Sequence, residues 1–243
     1  RVDDWLTGSS TELPALEREL LAGKGHGGGV SARIAALLAR AEAGEDLDEA
    51  GVTALLGARG ADFARVCEQA DALNRRLHGE RVSYVVNRNI NYTNVCYFKC
   101  QFCAFSKGKA HDHLRGTPYD LDDAELTRRV AEAWARGATE VCLQGGIHPA
   151  YTGQKYLDIC RLVKEAAPRM HIHAFSPLEV WQGAKTLGLP LGDFIAKLRE
   201  AGLATLPGTA AEILHDEVRA VLCPDKINSA QWLEVMEAAH SQG

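Results

Sequence analysis

Three cysteines fall within eight residues, Cys96, Cys100 and Cys103, at the spacing C-x3-C-x2-C. A loop that short can wrap three thiolates around three irons of a cubane and leave the fourth iron without a protein ligand. A small molecule can chelate that open iron through an amine and a carboxylate, which a four-cysteine electron-transfer site does not allow. Two other readings compete. Cys100 and Cys103 alone would suit a redox dithiol, but a third cysteine four residues upstream has no role in that chemistry. A structural zinc site could add His111 or His113 to the three cysteines, yet zinc ligands usually come as two separated pairs.

A second group follows a later β-rich run. His171 and His173 are two residues apart, so on a strand they share one side with Phe175. If that side lines an interior, one histidine can bind or deprotonate substrate; if it faces helices, both are packing residues. Glu212 could meet a substrate amine or be an acid at a helix N-terminus. Arg88, Asn89 and Asn91 stand beside the cysteine loop, where they could order it or reach substrate. Cys67, Cys142, Cys160 and Cys223 are scattered and read as small buried apolar residues.

These residues need a scaffold. The β-rich run at residues 82–86, a strand at 140–143 ended by Gly145 and Gly146, a strand at 170–175 and a short one at 203–206 alternate with amphipathic stretches at 120–136, 154–167 and 191–201. Strand and helix in that order predict right-handed βαβ units and a parallel sheet, with ligands at the carboxyl ends of the strands. Further helical stretches cover 210–222 and 229–242. Ahead of the sheet, residues 31–79 carry Ala, Leu, Arg and Glu at helical spacing, with breaks at Gly44 and at Gly57 to Gly60. Residues 1–30 read as a linker that ends in a glycine run, with a short helix around 13–21.

Composition narrows the function. The chain has 243 residues, 46% hydrophobic, enough to bury a core. Its 27 Lys plus Arg against 32 Asp plus Glu give a net charge of −5 with no basic block, which argues against a nucleic-acid or anionic-membrane surface. No apolar run reaches the roughly 18 residues of a spanning helix, and Arg1-Val2-Asp3-Asp4 has no signal-peptide pattern. Seven cysteines, an odd number, do not suit a secreted disulfide framework. A cytoplasmic protein is expected.

The cysteine triplet after a strand, Phe102 just before the last cysteine and the Gly-Gly pair ending the next strand resemble the radical S-adenosylmethionine (SAM) enzymes. Asn-Arg-Asn-Ile-Asn-Tyr-Thr-Asn-Val-Cys (87 to 96), Cys-Gln-Phe-Cys-Ala-Phe (100 to 105), Leu-Gln-Gly-Gly (143 to 146), His-Ile-His-Ala-Phe-Ser-Pro-Leu-Glu (171 to 179) and Leu-Pro-Gly-Thr-Ala-Ala-Glu-Ile-Leu (206 to 214) are similar to its deazaflavin and menaquinone branch. Within that branch the chain most resembles the 4-hydroxyphenyl transferase half of FO synthases, over about residues 55–243. The futalosine cyclases of menaquinone biosynthesis are the near neighbours. Asn87 and the Pro-Gly-Thr-Ala-Ala-Glu block at 207–212 lean to the first.

The resemblance implies a 4Fe–4S cluster on Cys96, Cys100 and Cys103, with SAM on its open iron. It implies SAM contacts from Phe102 near the adenine, from Gln144, Gly145 and Gly146 at the methionyl end, and from Ser176 and Glu179 at the ribose, with His173 and Glu212 facing substrate. For Phe102 an ordinary core aromatic is the plain alternative. The implied reaction joins the 4-hydroxybenzyl group of L-tyrosine to 5-amino-6-(D-ribitylamino)uracil, with an electron donor and a partner radical SAM half fused upstream. Futalosine cyclisation and a non-enzymatic zinc module are the other readings.

Length fits this least comfortably. Six βα units at about 30 residues each need roughly 190, and 160 residues run from Tyr84 to the end. The expectation is therefore an α/β fold: a truncated, partial radical SAM (β/α) barrel of about four parallel strands over residues 80–243, preceded by the small helical region and open at a strand edge.

Overall fold

The computed structural model describes residues 29–98, 100–106 and 117–243. The linker and short helix expected before residue 29 lie outside the described residues, apart from the last two positions. The chain divides into two compact units, one up to Ser83 and one from Tyr84 to Gly243.

The first unit is helical, with α1 (Ala32–Glu42), α2 (Glu49–Leu56) and α3 (Ala61–His78). Ser31 and Asp48 cap the first two through their side chains, satisfying backbone N–H groups that a helix start leaves open. Ile34, Leu37, Leu38 and Ala58 form its small core.

The second unit is α/β. Its elements are β1 (Asn87–Asn91), α4 (Asp123–Ala135), β2 (Glu140–Gln144), α5 (Gly153–Ala166), β3 (His171–Ala174), α6 (Pro177–Leu187), α7 (Leu191–Glu200), α8 (Asp216–Leu222) and α9 (Ser229–Ser241). The three strands are parallel in the order β1-β2-β3, as βαβ crossovers require. Register places Asn87, Glu140 and His171 in one row and Asn89, Cys142 and His173 in the next. Alternation then sorts the side chains. Ile90, Val141, Leu143, Ile172 and Ala174 are fully buried on the side covered by Leu126 and Val130 of α4 and Ile159 and Val163 of α5. The opposite side carries Asn89, Asn91, Glu140, Cys142, Gln144, His171 and His173, each exposed or half-buried. That polar face is the inner wall of the partial barrel.

Four expectations need correction. The first strand is not the β-rich run at 82–86 but the asparagine-rich segment after it. Val86 contributes one carbonyl, which accepts from Thr139 N, while Ile90 supplies the buried side and asparagines the inner one. A strand lining a pocket is polar on alternate residues, so the most apolar run is a poor guide to it. The fourth strand shrinks to a single parallel bridge between His173 and Thr205, because Gly202 turns at φ 113° just before it and Pro207, which lacks an N–H, follows just after. The helix expected at 210–222 starts only at Asp216, since Ala210 and Glu212 are left-handed, at φ 62° and 44°. Helix α6 was not expected at all, although Ser176-Pro177-Leu178-Glu179 closes a complete capping box at its start.

Candidate active site

The cysteine loop leaves the carboxyl end of β1 and is pinned on several sides. Thr93 Oγ1 donates to Tyr119 O at 2.8 Å, and Asn94 bonds both Thr117 O and Tyr119 N. Gly146 N donates to Thr93 O at 2.9 Å, Tyr97 N to Ile147 O at 3.2 Å and Gln101 N to Leu222 O at 2.9 Å. Cys96, Cys100 and Cys103 are all half-buried. The first two pack against a small apolar cluster of Phe98, Ile147, Leu178 and Ile227. Burial pushes the Cys100 thiol up to about 11, and the Lys226 ammonium pulls the other way. Lys226 Nζ also lies 2.6 Å from Glu212 Oε1 and 5.3 Å from the centre of the Phe102 ring. Phe102 itself is 46% exposed, which removes the reading of it as a core aromatic.

These donors fit an iron–sulfur cluster. All three are sulfur, the ligand that such clusters take. Among the described residues no group of three or more Cys, His, Asp or Glu side chains is gathered so as to hold a metal ion. His111 and His113, the histidines of the zinc alternative, lie outside the described residues.

Behind the loop, the two glycines make room for protein. A Cβ on Gly145 would sit 2.4 Å from the Tyr92 ring, and one on Gly146 would sit 2.3 Å from Val95 O and 2.8 Å from Cys96 Cβ. Tyr92 is fully buried and its hydroxyl donates to Glu179 Oε1. The same oxygen accepts from Gly145 N at 3.0 Å, while Glu179 Oε2 accepts from Ser176 N and Ser176 Oγ, both at 2.6 Å. Four donors and, among the described residues, no cation surround this carboxylate. Burial raises its pKa and the four hydrogen bonds pull it back down. Ser176 and Glu179 therefore spend their polar atoms on the start of α6 and on the ends of β1 and β2. Gln144, by contrast, keeps its side chain on the polar inner face.

The two histidines also stand on that inner face, settling the side they take. Phe175 does not join them. Its backbone is left-handed, at φ 64°, and turns the ring into the core against Tyr92 and Tyr156. A strand's alternation fails where one residue leaves the extended region. His171 Nε2 and His173 Nδ1 both reach Thr205 Oγ1, at 2.9 and 2.7 Å. Asn89 and Asn91 share this face, whereas Arg88 points to the helices and pairs with Glu132 at 2.9 Å.

Glu212 sits on the left-handed loop after Thr205, and Arg219 organises that loop. Arg219 is 3% exposed, and its guanidinium donates to the carbonyls of Ala210, Ala211, Ile213 and Ile227. Glu212 is thus held between Lys226 and Arg219 rather than standing open. Of the remaining cysteines, Cys160 and Cys223 are buried as expected, but Cys142 is half-buried on the inner face and Cys67 is exposed. Tyr92, Thr205, Arg219 and Lys226 went unnoticed in the sequence. Tyr92 and Thr205 act through partners far along the chain, while Arg219 and Lys226 act across the folded loop between them and Ala210.

The model of the radical SAM superfamily matches residues 90–243. The chain is 46% identical over 209 residues to FO synthase of Streptomyces coelicolor, a match covering 86% of this chain and 24% of that protein. It is also 46% identical over 180 residues to the 5-amino-6-(D-ribitylamino)uracil--L-tyrosine 4-hydroxyphenyl transferase of Gloeobacter violaceus, covering 72% of this chain and 45% of that one. The chain therefore spans about a quarter of the one relative and under half of the other. Among solved structures, methylornithine synthase superposes with a TM-score of 0.62 at 19% identity, covering 85% of this chain and 56% of that one. The FeFe-hydrogenase maturase HydG of Carboxydothermus hydrogenoformans does so at 0.63 and 16%, covering 86% and 46%. At those identities the likeness is one of fold.

Proposed function

The chain belongs to the radical SAM superfamily, and on that premise we propose that it carries the part of a transferase that joins the 4-hydroxybenzyl group of L-tyrosine to 5-amino-6-(D-ribitylamino)uracil. The 46% identity to a transferase named for that reaction is the observation that carries this reading. Superfamily enzymes use a 4Fe–4S cluster and SAM, and when bound this pair supplies one-electron cleavage of SAM and abstraction of a hydrogen atom from substrate.

In this reading Cys96, Cys100 and Cys103 hold the cluster, and the pinned loop keeps their spacing while the apolar cluster behind it excludes water. Phe102, exposed beside the last cysteine, offers its ring to the adenine. Gln144 and the backbone of Gly145 and Gly146 would receive the methionyl end. Ser176 and Glu179 serve the cofactor by fixing that backbone rather than through free polar atoms. His173 on the inner wall exchanges a proton with substrate. Glu212, paired with Lys226 beside the Phe102 ring, would face substrate from that side of the cysteine loop. An electron donor and a partner radical SAM half, as in FO synthases, complete the system. No helix among the described residues is long and apolar enough to cross a membrane, and we place the reaction in the cytoplasm.

Incubating the chain anaerobically with SAM, a reductant, tyrosine and the ribitylaminouracil tests this. Formation of the hydroxybenzyl adduct is expected. Cleavage of SAM with no adduct, or conversion of a dehypoxanthine futalosine instead, would overturn it.

A further inference from the structure

His171 and His173 reach the same oxygen, and this has a chemical consequence. Thr205 Oγ1 lies 2.9 Å from His171 Nε2 and 2.7 Å from His173 Nδ1. A hydroxyl has one proton to give and two lone pairs to offer. With both rings neutral, Thr205 either accepts from both rings or donates to one and accepts from the other, and in the second arrangement the two tautomers are linked.

Glu140 bears on the His171 half of this choice. It stands opposite His171 in register, and its Oε2 lies 3.7 Å from the same Nε2 that faces Thr205. A negative charge there favours a proton on that nitrogen. His171 Nε2–H then donates to Thr205, and in the linked arrangement the Thr205 hydroxyl donates to His173 Nδ1 while His173 carries its own proton on Nε2. Asn87 Nδ2 donates to the other oxygen of Glu140 at 3.4 Å and keeps the carboxylate turned inward. Cys142, opposite His173, is the remaining titratable group of these rows.

We propose that Thr205 is the positioning residue of a proton relay along the inner wall, holding His173 in its Nε2–H tautomer and resupplying it from His171. Only the identity of the substrate atom rests on the transferase reading. As His173 gives its Nε2 proton to that atom, it takes the hydroxyl proton of Thr205 at Nδ1. Thr205 takes the Nε2 proton of His171, and His171, with its side chain 40% exposed, takes one from water at Nδ1. One proton enters and one leaves, no electron moves, and both rings end in the other tautomer. The reverse sequence carries a proton outward. His171 lies two residues toward the amino end of β3, about 6.6 Å from His173, so the exchange with water happens away from the cysteine loop.

The test uses the full chain labelled with 15N-histidine, at about pH 8, above the ordinary imidazole range. Long-range 1H–15N spectra report which ring nitrogens carry protons, with His171→Gln and His173→Gln providing assignments. Single tautomers are expected in the unaltered chain, with His171 Nε2 protonated and His173 Nδ1 bare. Thr205→Val should release His173 to a mixture of tautomers while Glu140 keeps His171 protonated at Nε2, and Thr205→Ser should restore the single form of His173. Mixed tautomers in the unaltered chain, or spectra unmoved by Thr205→Val, would overturn the relay. In single turnover Thr205→Val should slow adduct formation on the order of 10- to 100-fold, with Thr205→Ser recovering most of the rate; an unchanged rate would also overturn it. The spectra need no substrate, so locked tautomers in a chain that forms no adduct would count against the transferase reading alone.

Discussion

Gly146→Ala probes how closely the end of β2 supports the cysteine loop. The added Cβ would stand 2.3 Å from Val95 O and 2.8 Å from Cys96 Cβ, where ordinary contact begins at 3.4 Å. About 1 Å must therefore come from moving backbone, because the nearest atom is a carbonyl rather than the end of a flexible side chain. The loop has little freedom to give. Gly146 N and Tyr97 N bond it to β2 and the residues after it, and Val95 N donates to Thr93 Oγ1 at 3.2 Å. Overpacking of this kind costs about 1–3 kcal/mol, and an error near 1 Å at a reacting centre costs roughly 100-fold in rate. Gly145→Ala is the matched control, since its Cβ meets the Tyr92 ring and not the cysteine loop. Both variants should lose a similar amount of stability in urea titrations. Only Gly146→Ala should also lose iron per chain after anaerobic reconstitution. Full iron in Gly146→Ala, or an equal loss in the two variants, would refute the idea that Gly146 exists to seat Cys96.

Two further outcomes follow from buried charge. Burial makes Glu179 easier to protonate in the folded chain than in the unfolded one. From about the ordinary value of 4.5 up to its raised value the folded state holds the extra proton, so this group makes stability fall as pH rises through that window. Glu179→Gln should remove that slope from urea titrations run at several pH values, and should cost about 1–3 kcal/mol at neutral pH because its amide nitrogen would face the Ser176 N–H; the same slope in both proteins would contradict this. Arg219→Met leaves the carbonyls of Ala210, Ala211, Ile213 and Ile227 without their donor. About 3 kcal/mol of stability should go, with faster proteolysis around residues 210–214, and an unchanged urea midpoint with unchanged cleavage would count against that role.

What could be read from the chain divides by distance along it. The cysteine triplet is a local pattern, and its spacing alone raises the cluster reading. Helices such as α4 and α5 were legible too, because their apolar period survives without knowing the partner. The capping box at Ser176 and Glu179 was equally local. It looked like a pair of free ligands because spacing does not show that Tyr92 and Gly145, far upstream, claim the same carboxylate. Strand β1 was displaced for a physical reason: a strand with one face in a polar pocket is half asparagine. Thr205 reaches both histidines only through parallel pairing across β3. Phe175 left its expected side because one left-handed residue inverts the alternation.

The central claim is that Cys96, Cys100 and Cys103 seat a cubane cluster. Anaerobic reconstitution with iron and sulfide, followed by iron analysis and absorption spectra, tests it most directly. A brown protein with about four irons per chain, and a colourless Cys100→Ser variant that keeps its fold but cleaves no SAM, is the predicted result. A colourless unaltered chain that takes up zinc instead, or a Cys100→Ser variant with undiminished colour and iron, would contradict it.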